Sequence, residues 1–247
     1  MLIKQKWASY RSARLFYKEM LFKSRNSPVG KETLLEPITF AELSTMVYFS
    51  LNAEKYLNAD EAEFKQFDLD TELIYLRTGD TVVLVFKGSC TMTDWFYNLK
   101  FLKKDFAYGD FKIHRGMSDK LQAVFHYLKA KIKPTDKVYL TGHSLGGALS
   151  ALSAYILKTQ INTNIEGVYL FGSPRVGGPG WKKAYDSLLY DKTFSYQNQG
   201  DLIPSLPPKW LGYHHIGQHI ELKSNPHERQ LFPSSNHLPW FYVINLR

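Results

Sequence analysis

The chain has 247 residues, 44% of them hydrophobic and 15% aromatic, enough for one sizeable core and within the usual range of a single α/β domain. Its formal net charge is +8, but eight Lys and Arg against the single Glu19 place +7 of it in residues 1–31, so the nearly neutral remainder gives no sign of nucleic-acid binding. No run approaches the roughly 18 apolar residues that span a bilayer, no Sec-type leader is visible, and a lone Cys90 excludes an internal disulfide and a cysteine metal cluster.

Residues 1–30 read as a basic amphipathic N-terminal segment, with Ile3, Trp7, Tyr10, Tyr17 and Leu21 at steps compatible with one helical face. Basic plus aromatic character fits an anionic membrane surface. A helix packed on the back of the domain, a solvated tail and an organellar presequence fit as well. The compartment stays open between cytoplasmic, membrane-peripheral and exported by another route. Residues 31–247 read as one domain.

Thr39 to Glu42 has the T-x-x-E form of a capping box, and the spacing predicts a helix from there to about Leu57. Glu72 to Arg77 and Thr81 to Lys87 flank Thr78-Gly79-Asp80 as two strands joined by a tight turn. A helix is expected from Ser118 to Pro134, its Leu121, Val124, Phe125, Leu128 and Ile132 on one face. Then come a strand at 137–141, a helix at 146–158, a strand at 166–171, a Gly/Pro loop at 172–180, a helix at 181–190, a strand at 192–198, a Pro-rich loop at 204–208 and a last strand at roughly 213–223. Strands alternating with helices imply a mainly parallel central sheet covered on both faces.

Between the strand at 137–141 and the helix after it stands Gly142-His143-Ser144-Leu145-Gly146. A strand that turns abruptly into a helix holds its apex residue in a strained backbone conformation, and side chains two positions to either side would collide with strand or helix. Glycine at 142 and 146 removes both collisions. The Ser144 hydroxyl is then lifted clear, with the N–H groups of the helix's first turn above it.

A serine hydroxyl needs a base within hydrogen-bond reach and an acid that fixes the tautomer of that base. Downstream carboxylates are Glu166, Asp186, Asp191, Asp201, Glu221 and Glu228; Asp201 suits best, in a loop just past a strand end. His214, His215, His219, His227 and His237 are available as base. His237 suits best, after the polar Ser234-Ser235-Asn236 and before the apolar Leu238 to Ile244. His214, His215 and His219 read as neutral strand histidines rather than a metal site, because no acidic or cysteine partner lies close by in sequence, and neither metal nor cofactor is expected.

Taken together these residues resemble the class 3 lipase family, fungal lipase type, from about residue 38 onward. The resemblance is carried in order by Val85-Phe86-Lys87-Gly88-Ser89, Ile113-His114-Arg115-Gly116, Gly142 to Gly147, Phe171-Gly172-Ser173-Pro174-Arg175-Val176-Gly177, Asp201-Leu202-Ile203-Pro204 with Pro207-Pro208, Tyr213-His214-His215-Ile216-Gly217 and His237-Leu238. It implies an α/β-hydrolase fold with a short helical lid, a triad of Ser144, Asp201 and His237, and an oxyanion hole of Ser89 and the Leu145 N–H. Met92, Trp95, Phe96 and Leu99 share one helical face just after Ser89. By the resemblance this face is the lid, covering an apolar acyl groove when closed; otherwise it is an ordinary core helix. Lys87 stands where the family usually has Arg, Asn98 where it has Asp, and the disulfides of secreted members cannot form.

The implied activity is hydrolysis of a lipid ester at a lipid–water interface, triacylglycerol foremost. A phospholipase A1, a feruloyl-type esterase and a non-catalytic lipid binder remain as alternatives.

Overall fold

A computed structural model describes residues 15, 18–20, 36–48, 51, 53–88, 101–223 and 235–247. Seven strands form one sheet: β1 (Glu61–Phe67), β2 (Thr71–Thr78), β3 (Thr81–Phe86), β6 (Lys137–His143), β7 (Asn164–Phe171), β8 (Thr193–Asn198) and β9 (Gln218–Leu222), in that spatial order. A separate hairpin joins β4 (Lys103–Phe106) to β5 (Gly109–His114). The β1–β2 and β2–β3 pairs are antiparallel; from β3 through β6, β7 and β8 to β9 every pair is parallel. The expected mainly parallel sheet is therefore present.

Parallel strands buried on both faces read as near-continuous apolar runs. Val82, Leu84 and Phe86 of β3, with Val138 and Leu140 of β6, face one core; Val83 and Val85 face the other. The first core is covered by α3 (Arg115–Lys131), α4 (Leu145–Ile156) and α5 (Pro179–Leu189). The second is covered by α1 (Pro37–Tyr48), α2 (Ala53–Leu57) and the C-terminal α6 (Pro239–Leu246). Met20 is fully buried in this second core, and Glu19 pairs with Arg247. Within the basic segment, Glu19 and Met20 are thus packed on the body, while Leu15 is exposed.

Several boundaries differ from the sequence reading. The helix expected from Thr39 begins at Pro37, where the missing N–H costs nothing, so Thr39 and Glu42 lie inside it and form no capping box. Glu42 is instead buried, accepting the Tyr56 hydroxyl and pairing with Arg247. The expected helix to Leu57 is two helices. α3 starts at Arg115, three residues before Ser118, directly on leaving β5. The last strand is shorter than expected because Gly217 adopts φ +62°, with a virtual Cβ 2.6 Å from the Thr193 side chain, and turns the chain just before β9.

Candidate active site

β6 lies between β3 and β7, and Ser144 follows its last residue at the carboxyl edge of the sheet. Ser144 has φ +60° and ψ −127°, a region that a residue with a Cβ occupies only under strain. Its N–H is held by the Phe171 carbonyl of β7 at 2.8 Å, and its own carbonyl accepts the Gly147 N–H at 2.9 Å. The glycines are required by contact: a Cβ at Gly142 would lie 2.3 Å from the Gly146 carbonyl carbon, and one at Gly146 would lie 2.2 Å from the Phe86 oxygen. α4 begins at Leu145, whose N–H belongs to the first turn, where a helix supplies no internal acceptor.

From the β3 side Gly88 comes equally close. A Cβ there would sit 2.7 Å from the His143 carbonyl oxygen and 3.4 Å from the Ser144 Cβ. Lys87 before it forms an ion pair with Glu72 at 2.6 Å, which anchors the end of β3 to β2. Ser89 and the segment with Met92, Trp95, Phe96 and Leu99 lie outside the described residues.

Asp201 leaves β8 through the Gly200 turn and is almost fully buried. The Ile203 N–H donates to its Oδ1 at 2.9 Å. Its Oδ2 receives His237 Nδ1 at 2.8 Å and the Tyr242 hydroxyl at 2.5 Å. Burial, then the adjacent Asp201 charge, push the Tyr242 phenol well above its ordinary pKa, so it stays a donor. Gly172, at φ +61°, closes over this pair; a Cβ there would meet Tyr242 Oη at 2.9 Å and Asp201 Oδ2 and His237 Cε1 at 3.0 Å.

His237 sits in a 3-10 turn, Ser235–His237, just before α6. Burial drives the neighbouring His143 well below the ordinary imidazole pKa. His143 is therefore neutral, and its Nε2–H donates to the His237 carbonyl at 2.5 Å. Asn198 links the end of β8 to the His237 turn and α6: its side-chain amide donates to the Asn236 carbonyl at 3.0 Å and accepts from Asn245 at 2.8 Å. With Nδ1 fixed by Asp201, Nε2 of His237 is the nitrogen left for chemistry. It is buried without a hydrogen-bond partner, so no Ser144–His237 hydrogen bond is formed in this structure. Such bonds are often long or misaligned without substrate and tighten on binding.

The structure thus joins Asp201 to His237 directly and sets His237 against the residue preceding Ser144. Sequence reasoning missed Tyr242, Asn198 and the structural role of His143. His143 lay within the elbow; Tyr242 carried no signal beyond being an aromatic in an apolar segment. The His215 and His219 rings lie tilted against each other with centroids 4.4 Å apart, and burial lowers the His215 pKa to about 3. Among the described residues no group of three His, Cys, Asp or Glu is placed to hold a metal ion.

A doubly covered, mainly parallel sheet, a strained serine on a strand-to-helix turn and a buried Asp–His pair define the α/β-hydrolase class. The pattern described as "Lipase (class 3)" matches residues 83–210, just over half of the chain, and the chain belongs to the class 3 lipase family. That match includes Ser89, Ser144 and Asp201 and ends before His237. The chain is 32% identical over 174 residues to a lipase of Rhizomucor miehei, covering 64% of this chain and 47% of that protein. It is 28% identical over 173 residues to a secreted mono- and diacylglycerol lipase of Malassezia globosa, covering 64% and 57%. The chain therefore spans about half the length of the curated relatives it matches. The solved triacylglyceride lipase of Rhizomucor miehei superposes with a TM-score of 0.64 at 26% identity, over 78% of this chain and 82% of that one.

Proposed function

We propose that this protein is a serine carboxylic ester hydrolase acting on lipid esters, triacylglycerols foremost, at a lipid–water interface. The observation that carries the reading is the His237 imidazole, oriented by the buried Asp201 carboxylate, with its ring centroid 4.4 Å from that of His143, the residue before the strained Ser144.

In this reading Nε2 of His237 takes the Ser144 proton and the alkoxide attacks the ester carbonyl. The Leu145 N–H and Ser89 hold the resulting oxyanion, where losing one donor typically costs about 10² to 10³ in kcat. The imidazolium returns its proton to the leaving alcohol, and water, deprotonated by His237, then releases the acyl group. Asp201 keeps the tautomer and stabilises the imidazolium, while Tyr242 and the Ile203 N–H hold the carboxylate in place. The segment with Met92, Trp95, Phe96 and Leu99 is assigned as the lid. Residues 31–247 act as one domain on which the basic segment docks through Met20 and Glu19, leaving the cations before them for an anionic membrane surface.

Initial rates on triacylglycerol emulsions, phospholipid vesicles and soluble short-chain or feruloyl esters test the substrate class. Triacylglycerol turnover should lead and should rise sharply once substrate exceeds its solubility. Faster hydrolysis of phospholipid or feruloyl esters would replace this reading with one of those activities.

A further inference from the structure

Past Asp201 the chain continues through the 3-10 turns Ile203–Ser205 and Lys209–Leu211. Trp210 in the second turn is 82% exposed, with Leu211 partly exposed beside it. The turn is held from both ends. Lys103 Nζ donates to the Leu211 and Gly212 carbonyls at 2.9 Å each and lies 4.4 Å from the Tyr213 ring centroid. The Arg175 N–H donates to the Leu206 carbonyl at 2.7 Å, and its guanidinium donates to the Pro207 carbonyl at 2.9 Å and to the Ser205 carbonyl. An indole presented to solvent from a pinned turn gains nothing for the fold by being large and apolar. At a membrane surface the same ring is favourable, its apolar body among the acyl chains and its N–H at headgroup level.

Three cations sit at the turn: Lys209 within it, and Lys103 and Arg175 bonded to its flanking carbonyls. Lys209, Lys182, Arg175 and Lys103 all lie within electrostatic reach of the His214 ring, and of these Lys182 is paired with Asp186. Leu102, next to Lys103, is half exposed, as is Leu202 in the Asp201 loop. Exposed apolar side chains among cations match a surface that is apolar within and negatively charged outside.

We propose that the Lys209–Leu211 turn anchors the protein on anionic phospholipid surfaces. Trp210 and Leu211 enter the headgroup layer and Lys209 meets the phosphates. The anchor sits on the loop that carries Asp201, so on the hydrolase reading it docks the molecule with its catalytic edge toward the ester layer. It is separate from the basic N-terminal segment, and binding through it needs no turnover.

The test uses the full chain and sucrose-loaded vesicles of ether-linked phosphatidylcholine, alone or mixed with ether-linked phosphatidylglycerol. These lipids contain no ester, so the result is independent of whether Ser144 is catalytic. Bound fractions after sedimentation should be at least severalfold higher on the anionic vesicles. Trp210→Ala should weaken that partitioning about tenfold and Lys209→Glu about fivefold or more, with thermal midpoints unchanged. Leu188→Ala, at an exposed position on α5, should bind like the parent chain. Unchanged binding by Trp210→Ala and Lys209→Glu, or equal binding of the parent chain to both vesicle types, would overturn the proposal.

Discussion

Tyr242 donates its hydroxyl to the same oxygen of Asp201 that receives the His237 imidazole. A carboxylate sealed from water is tolerable only if donors surround it, and these donors come from α6, the turn before α6 and the loop after β8. The C-terminal helix therefore closes the site as well as the second core.

Tyr242→Phe removes one donor and leaves the ring packing in place. Stability should fall by about 1–3 kcal/mol, the usual effect of losing a buried hydrogen bond to a charged group. If the phenol positions Asp201, kcat on a soluble ester should drop about tenfold with KM nearly constant. A stability loss with full kcat would confine Tyr242 to the fold.

Asp201→Asn preserves shape but favours the wrong imidazole tautomer. A fall of about 10³ to 10⁴ in kcat is expected, with the variant still folded by circular dichroism. Wild-type turnover would remove Asp201 from the relay.

Gly172→Ala tests the lid of backbone over the pair. The new methyl would meet Tyr242, Asp201 and His237 at 2.9–3.0 Å, at a φ of +61°. Such strain costs of order 1–3 kcal/mol, and loss of activity should exceed loss of stability because the displaced atoms are those of the pair. An alanine variant with the parent's kcat would show that the site tolerates the shift.

Acid sensitivity follows from the buried histidines. Burial holds His143 well below the ordinary imidazole pKa and His215 at about 3. In the unfolded chain both take up protons near pH 6.5, so between there and about pH 3 the unfolded state binds more protons than the folded one. The stability these neutral rings contribute is full above pH 6.5 and is lost as pH falls through that window. Urea midpoints should decline from pH 7 to pH 4, less steeply in His215→Gln. A flat profile would contradict the buried neutral state.

Much of the site was legible in the sequence because its geometry is local. A serine between glycines, after Val138-Tyr139-Leu140 and before Leu145 to Leu152, can form few other structures, and Asp201 was placed by the end of β8. Elements decided by distant partners were not legible. β1 reads Glu-Ala-Glu-Phe-Lys-Gln-Phe, an edge strand with a charged, half-exposed pattern that yields no apolar run. Glu42 looked like a capping residue because Tyr56 and Arg247, its partners, are 14 and 205 residues away. Tyr242 was hidden for the same reason, since its role exists only once α6 is packed against β8.

The proposed hydrolase requires the Ser144 hydroxyl to be a nucleophile activated by the His237–Asp201 pair. Its most direct measurement is reaction with a fluorophosphonate, read by intact mass and peptide mapping. One adduct on Ser144 is predicted, absent in Ser144→Ala and formed far more slowly in Asp201→Asn. A folded protein that stays unlabelled, or carries the adduct on another residue, would rule out Ser144 as the nucleophile.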